Sequence, residues 1–168
     1  IASITPPSVS FCAGLTETFT ATAANSYLWN TGAITQSIPI TSTGTFTVTI
    51  TSVNGCTSSA SANSTVLSLP TADAGTDQNI CLLGSTTLTA TGGVSYLWSD
   101  GETSATNTVD PIATAVFTVT VTNGNGCTDT DDVTVNVTQS CCGNPADDLI
   151  SSPGNISGTY SGNANLNF

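Results

Sequence analysis

Residues 12–29 read CAGLTETFTATAANSYLW, and residues 81–98 read CLLGSTTLTATGGVSYLW. Laid one on the other, Cys12 falls on Cys81, Ala21 on Ala90, Tyr27 on Tyr96 and Trp29 on Trp98, and Gly32 then matches Gly101. Further along, FTVTITSVNGC (46–56) matches FTVTVTNGNGC (117–127), with two extra residues taken up in the Asp110–Val116 connection. One unit is therefore written twice. Repeat 1 covers residues 1–69, repeat 2 covers 70–138, and Leu69-Pro70-Thr71 is a short junction between them. So short a junction suggests a stiff end-to-end pair, not two freely jointed beads.

The period inside each unit is that of β-strands. Phe46, Val48 and Ile50 alternate with Thr47, Thr49 and Thr51; Phe117, Val119 and Val121 alternate with Thr118, Thr120 and Thr122; Val133, Val135 and Val137 alternate with Thr134 and Asn136. Side chains along a strand point to opposite faces, so each strand buries one row and wets the other. β-branched Thr and Val suit such a surface. Asn54-Gly55 and Asn123-Gly124-Asn125-Gly126 tolerate positive φ and read as hairpin turns. In repeat 2 the pattern predicts strands near 72–80, 85–91, 95–99, 104–109, 115–122 and 129–137, with repeat 1 on the same plan. Many short strands in so short a span, and no sustained helical period, indicate an all-β fold of tandem small sandwiches.

Composition removes several function classes. The 168 residues contain no Lys, Arg or His, and 11 Asp plus Glu, for a net charge of -11. Nucleic-acid binding needs cations to neutralise phosphates. A polybasic contact with anionic lipid is excluded for the same reason, and no apolar run is long enough to insert into a membrane. Salt bridges between side chains cannot form, and trypsin-like proteases find no site. The six Cys show no CxxC spacing and have no His beside them, so disulfides lead over zinc. That implies export to an oxidising compartment, outside the cell or on its surface. The chain starts and stops mid-pattern and reads as a mature or excised fragment.

Three stretches of repeat 2 carry a resemblance: AGTDQNIC (74–81), LTATGGVSYLWSDG (88–101) and FTVTVTNGNGCTDTDDVTVNV (117–137). Repeat 1 keeps YLWNTG (27–32) and FTVTITSVNGC (46–56), but SSASANSTV replaces the acidic end of repeat 2. The combination resembles the Ig-like and PKD-like repeats of large secreted, adhesin-type surface proteins of Bacteroidetes-type bacteria, over about residues 5–138. The resemblance implies immunoglobulin-like β-sandwiches, export, repetition in arrays, and roles in adhesion, gliding or surface scaffolding. The partners it implies are neighbouring repeats of the same protein, other copies in a fibre, and a glycan or surface ligand. The alternative is a spacer or glycan-binding accessory module of a secreted polysaccharide-active enzyme. Residues 139–168 break the pattern and read as a tail or the beginning of another β module, with a strand that could add to a sheet edge of a further copy.

Candidate residues follow from these readings. Tyr27, Trp29 and Phe46 in repeat 1, and Tyr96, Trp98 and Phe117 in repeat 2, are expected in the core; the other reading of the two Trp is a surface that stacks on sugar rings. Cys12 and Cys56 sit at places matching Cys81 and Cys127, so one disulfide is expected within each repeat, pairing 12–56 and 81–127. Such a staple matters because a domain of about 70 residues buries only about 60% of its surface and is marginal alone. Adjacent Cys141 and Cys142 have no assignable partners: the tail, a repeat or another chain all remain open. Asp129, Asp131 and Asp132 read as a solvated acidic edge. Asp73 and Asp77, near the junction, are the best-placed candidates for Ca²⁺, the one cofactor considered. No His or Lys can serve as a base and no Arg can hold an oxyanion. A carboxylate pair could still cleave a glycoside, but these acids fall on expected turns and edges. The expected function is a non-catalytic structural or adhesive segment.

Overall fold

Alternation decides which way each strand faces, and the computed structural model, which describes residues 1–139, follows it. Repeat 1 contains β1 (Ile4–Thr5), β2 (Ser8–Cys12), β3 (Glu17–Ala21), β4 (Ser26–Trp29), β5 (Ser37–Ile40), β6 (Gly44–Thr51) and β7 (Thr57–Leu67). Repeat 2 contains β8 (Gln78–Cys81), β9 (Thr86–Thr89), β10 (Ser95–Trp98), β11 (Thr106–Val109), β12 (Ala115–Thr122) and β13 (Thr128–Thr138). No helix occurs among the described residues, so none is long and apolar enough to cross a membrane.

The larger sheet of repeat 1 runs β2-β7-β6-β4 and the smaller runs β1-β3-β5. Repeat 2 repeats this as β8-β13-β12-β10 and β9-β11, with its first strand reduced to the single bridge Asp73–Thr91. All pairings are antiparallel except β2 with β7 and β8 with β13. The two sheets of each repeat close over one core, giving two immunoglobulin-like β-sandwiches. The inner row Phe46, Val48, Ile50 is buried, while Thr47 and Thr49 on the outer face meet Ser61 and Ser59 through hydroxyl hydrogen bonds of 2.8 and 3.0 Å.

One expected strand divides. Residues 72–80 do not form a continuous strand: Ala72–Ala74 lies along the smaller sheet and Gln78–Cys81 joins the larger one. Repeat 1 does the same, with β1 on β3 and β2 on β7, and Pro6-Pro7 between them. Proline cannot donate to a ladder, so the chain leaves one sheet there and enters the other. The last strand, β13, is correspondingly not a free edge. Val135–Thr138 pairs with β8, and only its first half, which carries the three aspartates, has an open side.

Each repeat has its own core. In repeat 1 it comprises Ile4, Phe19, Trp29, Ile38, Ile40, Val48 and their neighbours; in repeat 2, Leu88, Trp98, Val109, Val119, Val121, Val133 and Val135 lead. Phe19 and Phe46 pack edge to face, centroids 5.7 Å apart.

Candidate functional site at the junction of the repeats

The cysteines overturn the expected pairing. Cys12 is bonded to Cys127 of the other repeat, with Cα atoms 5.6 Å apart, and neither Cys12–Cys56 nor Cys81–Cys127 forms. The reason is where each cysteine sits along a strand. Cys12 pairs with Leu67 at the far end of β7, whereas Cys56 immediately precedes Thr57 at its start. An 11-residue strand spans about 35 Å, and a disulfide needs Cα atoms within about 7 Å. Cys81 and Cys127 are held apart in the same way by β13, since Cys81 pairs with Thr138 and Cys127 precedes Thr128. Cys81 is itself disulfide-bonded, and Cys56 is an exposed free thiol. The expectations for Cys141, Cys142 and a tail or further module over 139–168 lie, beyond Gln139, outside the described residues.

The two repeats thus meet end to end, and β2 of repeat 1 delivers its cysteine to the β12–β13 turn of repeat 2. That turn is built by Asn123 and Gly126. Asn123 N–H donates to the Cys127 carbonyl at 2.9 Å, Gly126 N–H donates to the Asn123 carbonyl at 3.0 Å, and Asn123 Oδ1 accepts from Cys127 N–H at 3.1 Å. Gly126 has φ +80°, a conformation glycine adopts without strain. The Asn123 side-chain amide then reaches across and donates to the Ser68 carbonyl at 2.8 Å. On the other side of the linker, the Thr71 carbonyl presses so closely on Gly92 that a Cβ there would collide with it. Pro70 is buried and fixes φ. A disulfide, a side-chain clamp and a backbone contact leave little room for a hinge. Sequence reasoning missed Asn123, Ser68 and Gly92. The available signal was that Gly92 and Asn123 replace Ala23 and Ser52 of the other repeat.

The aromatic residues belong to the cores. Trp29 is 2% exposed and Trp98 1%, which excludes sugar stacking on their faces; their indole N–H groups donate to the Thr35 and Ser104 carbonyls at 2.8 and 3.1 Å. Tyr27 and Tyr96 are half-buried: Tyr27 Oη accepts from Ala24 N–H at 2.9 Å, and Tyr96 donates to the Gly93 carbonyl at 3.0 Å. Phe46 is buried and Phe117 packs partly buried against the second core.

The acidic residues hold backbone. Asp131 Oδ2 accepts from Ala74 N–H at 2.8 Å and Asp77 Oδ1 from Thr134 N–H at 2.9 Å, while Asp73 Oδ1 caps Gly75 N–H at 2.9 Å. Asp73 and Asp77 are not gathered into a cation cage: among the described residues no three His, Cys, Asp or Glu side chains form a group that could hold a metal. Asp100 accepts from the side chain of buried Asn107 at 2.8 Å, and this bond above all holds its carboxyl below the usual value; the Glu102 N–H adds to it and partial burial opposes it. Glu102 is also lowered, chiefly by hydrogen bonding to Ser104 and then to the Thr103 N–H. A glycosidic general acid needs the opposite shift.

No protein-family model and no curated protein matches the chain. Among solved structures it is similar to the two-domain structure titled DIP-gamma IG1+IG2, at 9% identity over 83% of this chain and 98% of that one, with a TM-score of 0.37. It is similar to the insect immune protein hemolin at 14% identity, over 77% of this chain and 44% of that one, TM-score 0.38. Murine CEACAM1b gives 14% identity over 82% of this chain and 100% of that one, TM-score 0.34. The chain spans less than half of hemolin.

Proposed function

We propose that the chain is a stiff, non-catalytic structural or adhesive segment of a large exported surface or fibre-forming protein, of the kind its repeats resemble in Bacteroidetes-type bacteria. The observation that carries this reading is the Cys12–Cys127 bond across the junction. A disulfide inside a sandwich would stabilise one domain. One that ties two domains end to end resists bending of the pair, which serves a protein that must hold something at a distance. The bond also requires an oxidising compartment, in keeping with export. The acidic, hydroxyl-rich surface would keep long arrays soluble.

Small-angle scattering on the oxidised chain and on a Cys12→Ser/Cys127→Ser chain tests this reading. The oxidised form is expected to give one sharply defined maximum dimension, and the variant a broader distribution with bent conformers. Equal, broad distributions for both forms would overturn it.

A further inference from the structure

The β6–β7 turn of repeat 1 is built like the β12–β13 turn of repeat 2, but among the described residues nothing is attached to it. Ser52 N–H donates to the Cys56 carbonyl at 2.9 Å, and Gly55 N–H to the Ser52 carbonyl at 3.0 Å. Cys56 N–H in turn donates to Ser52 Oγ at 3.2 Å. Asn123, Gly126 and Cys127 make the same three bonds, and Gly55 and Gly126 share φ near +80° (79° and 80°). Yet Cys127 is 1% exposed and bonded to another module, while Cys56 is exposed and free. Beside Cys56 lies an open groove of about 370 Å³, lined by Ile1, Ala23, Ala24, Ile50 and Ser52 among others. Its counterpart in repeat 2 lies where the linker from repeat 1 runs, with Thr71 against Gly92 and Ser68 on Asn123.

We propose that Cys56 and this groove are the attachment site for the cysteine-bearing end of a preceding module of the same kind, joined as Cys12 is joined to Cys127. The occupant is a β-sandwich whose second strand ends in cysteine, as β2 and β8 both do. The repeated turn identifies this occupant, because the only attachment this turn makes elsewhere in the described residues is to such an end. Bond formation consumes a disulfide oxidant, such as oxidised glutathione or the active-site disulfide of an exported oxidoreductase. The Cys56 thiolate attacks the oxidant's S–S bond, forming a mixed disulfide and releasing one oxidant thiol. The incoming module's thiolate then displaces the second oxidant sulfur. One Sγ–Sγ bond forms, the oxidant's disulfide is reduced to two thiols, and the two protons given up by the cysteines end on them. Repeat 1 differs from repeat 2 in this corner: Ala23, without a positive φ, and Ala24 stand where Gly92 and Gly93 do, and Ser52 and Val53 where Asn123 and Gly124 do. The incoming linker therefore follows its own path beside Ala23.

This inference rests on the array reading above, and its test separates the two. The full chain is extended by a copy of residues 1–70 placed ahead of Ile1, so that Ile1 and Ala2 follow Pro70 as Thr71 and Ala72 do. The copy carries Cys56→Ser, leaving one Cys56. The protein is oxidised in a glutathione buffer, alkylated, cut with a protease that needs no Lys or Arg, and mapped unreduced by mass spectrometry. The expected result is a peptide linking Cys12 to Cys56, loss of Cys56 alkylation, and disappearance of that peptide when the copy also carries Cys12→Ser. Cys56 still alkylated while Cys12–Cys127 maps would overturn the attachment site and leave the array reading standing. Loss of both bonds would count against both readings. Cys56–Cys56 dimers between chains would overturn the proposal, as would pairing that appears only after Ala23→Gly and Ser52→Asn.

Discussion

The two repeats share one plan and hold it by different means. At four matching core positions repeat 1 has Ile4, Phe19, Ile38 and Ile40, where repeat 2 has Ala74, Leu88, Asn107 and Val109. Each exchange removes apolar volume or introduces a polar group, and burial stabilises by about 25 cal/mol for each Å² of apolar surface. Repeat 2 also lacks the paired first strand, keeping one bridge in its place. Carboxylates are used as acceptors at several places in repeat 2: Asp131 accepts from Ala74 N–H, Asp77 from Thr134 N–H, and Asp100 from the Asn107 amide. Repeat 1 has one acidic residue, Glu17, whereas repeat 2 has Asp73, Asp77, Asp100, Glu102, Asp110, Asp129, Asp131 and Asp132. A sandwich of this size can be closed by apolar contacts or by side chains that satisfy backbone N–H groups. The second solution is combined here with a cysteine bonded to a neighbour.

If that contrast is right, cutting the bond should expose it. In a Cys12→Ser/Cys127→Ser chain we expect a loss of up to about 5 kcal/mol from the linked pair, by the chain-entropy model for a loop of this size. Unfolding should split into two transitions with repeat 2 first. Denaturant titration followed through Trp98 alone (in Trp29→Phe) and through Trp29 alone (in Trp98→Phe) assigns each step. Repeat 1 unfolding first would break the comparison. Next in size, Phe19→Ala removes a ring that is 0% exposed and packed edge to face on Phe46, at a cost of about 3–5 kcal/mol. It should pull the Trp29 transition down to or below that of Trp98, and leave Trp98 where it was.

The same contrast explains what could be read from the amino acids. The rows Phe46-Val48-Ile50 and Val119-Val121 announce their inner face by alternation alone, so strands and sandwich were legible. The cysteine partners were not, because pairing depends on which end of a sandwich each thiol occupies. Matching positions in two repeats fit a bond inside each unit as well as a bond between units. A local sign was present. Cys12 is followed by Ala13-Gly14, and Cys56 and Cys127 follow Asn-Gly, so all three lie at turns and outside the inward rows. The division of the first strand was hidden for a different reason: Ala72–Cys81 alternates well enough to be one strand, and only the competing claims of two sheets divide it.

A smaller effect should come from Asp131→Ala. Ala74 is 1% exposed and its N–H would lose its acceptor, which costs about 1–3 kcal/mol. Amide exchange at Ala74 should accelerate, with that at Ala2, whose N–H donates to Ser58 Oγ in repeat 1, unchanged. Equal protection of Ala74 in the variant and the native chain would show that the carboxylate is not what holds this N–H.

The smallest effect is the most selective. Asn107 is 3% exposed and stands where repeat 1 has Ile38; its amide is satisfied by Asp100, which stands where repeat 1 has Thr31. The Asn107 hydrogen bond holds the Asp100 carboxyl below its usual value of 3.8 in the folded chain. A depressed folded value means that the bond's contribution is complete above the unfolded value and is lost as pH falls through the folded one. Repeat 2 should therefore weaken from about pH 4 downward, by no more than about 1 kcal/mol because Asp100 is largely solvated. Repeat 1, with Thr31 and Ile38 at these places, has no such bond to lose. Protonation of the other carboxylates relieves repulsion among them and works the other way, so the bare pH profile does not isolate the bond. The difference between the native chain and Asn107→Ile does, because that substitution gives repeat 2 the apolar residue of repeat 1 and removes the donor. Its Trp98 transition should lose the part of the acid slope that Asp100 supplies, and an identical slope in both chains would place the acid sensitivity elsewhere in repeat 2.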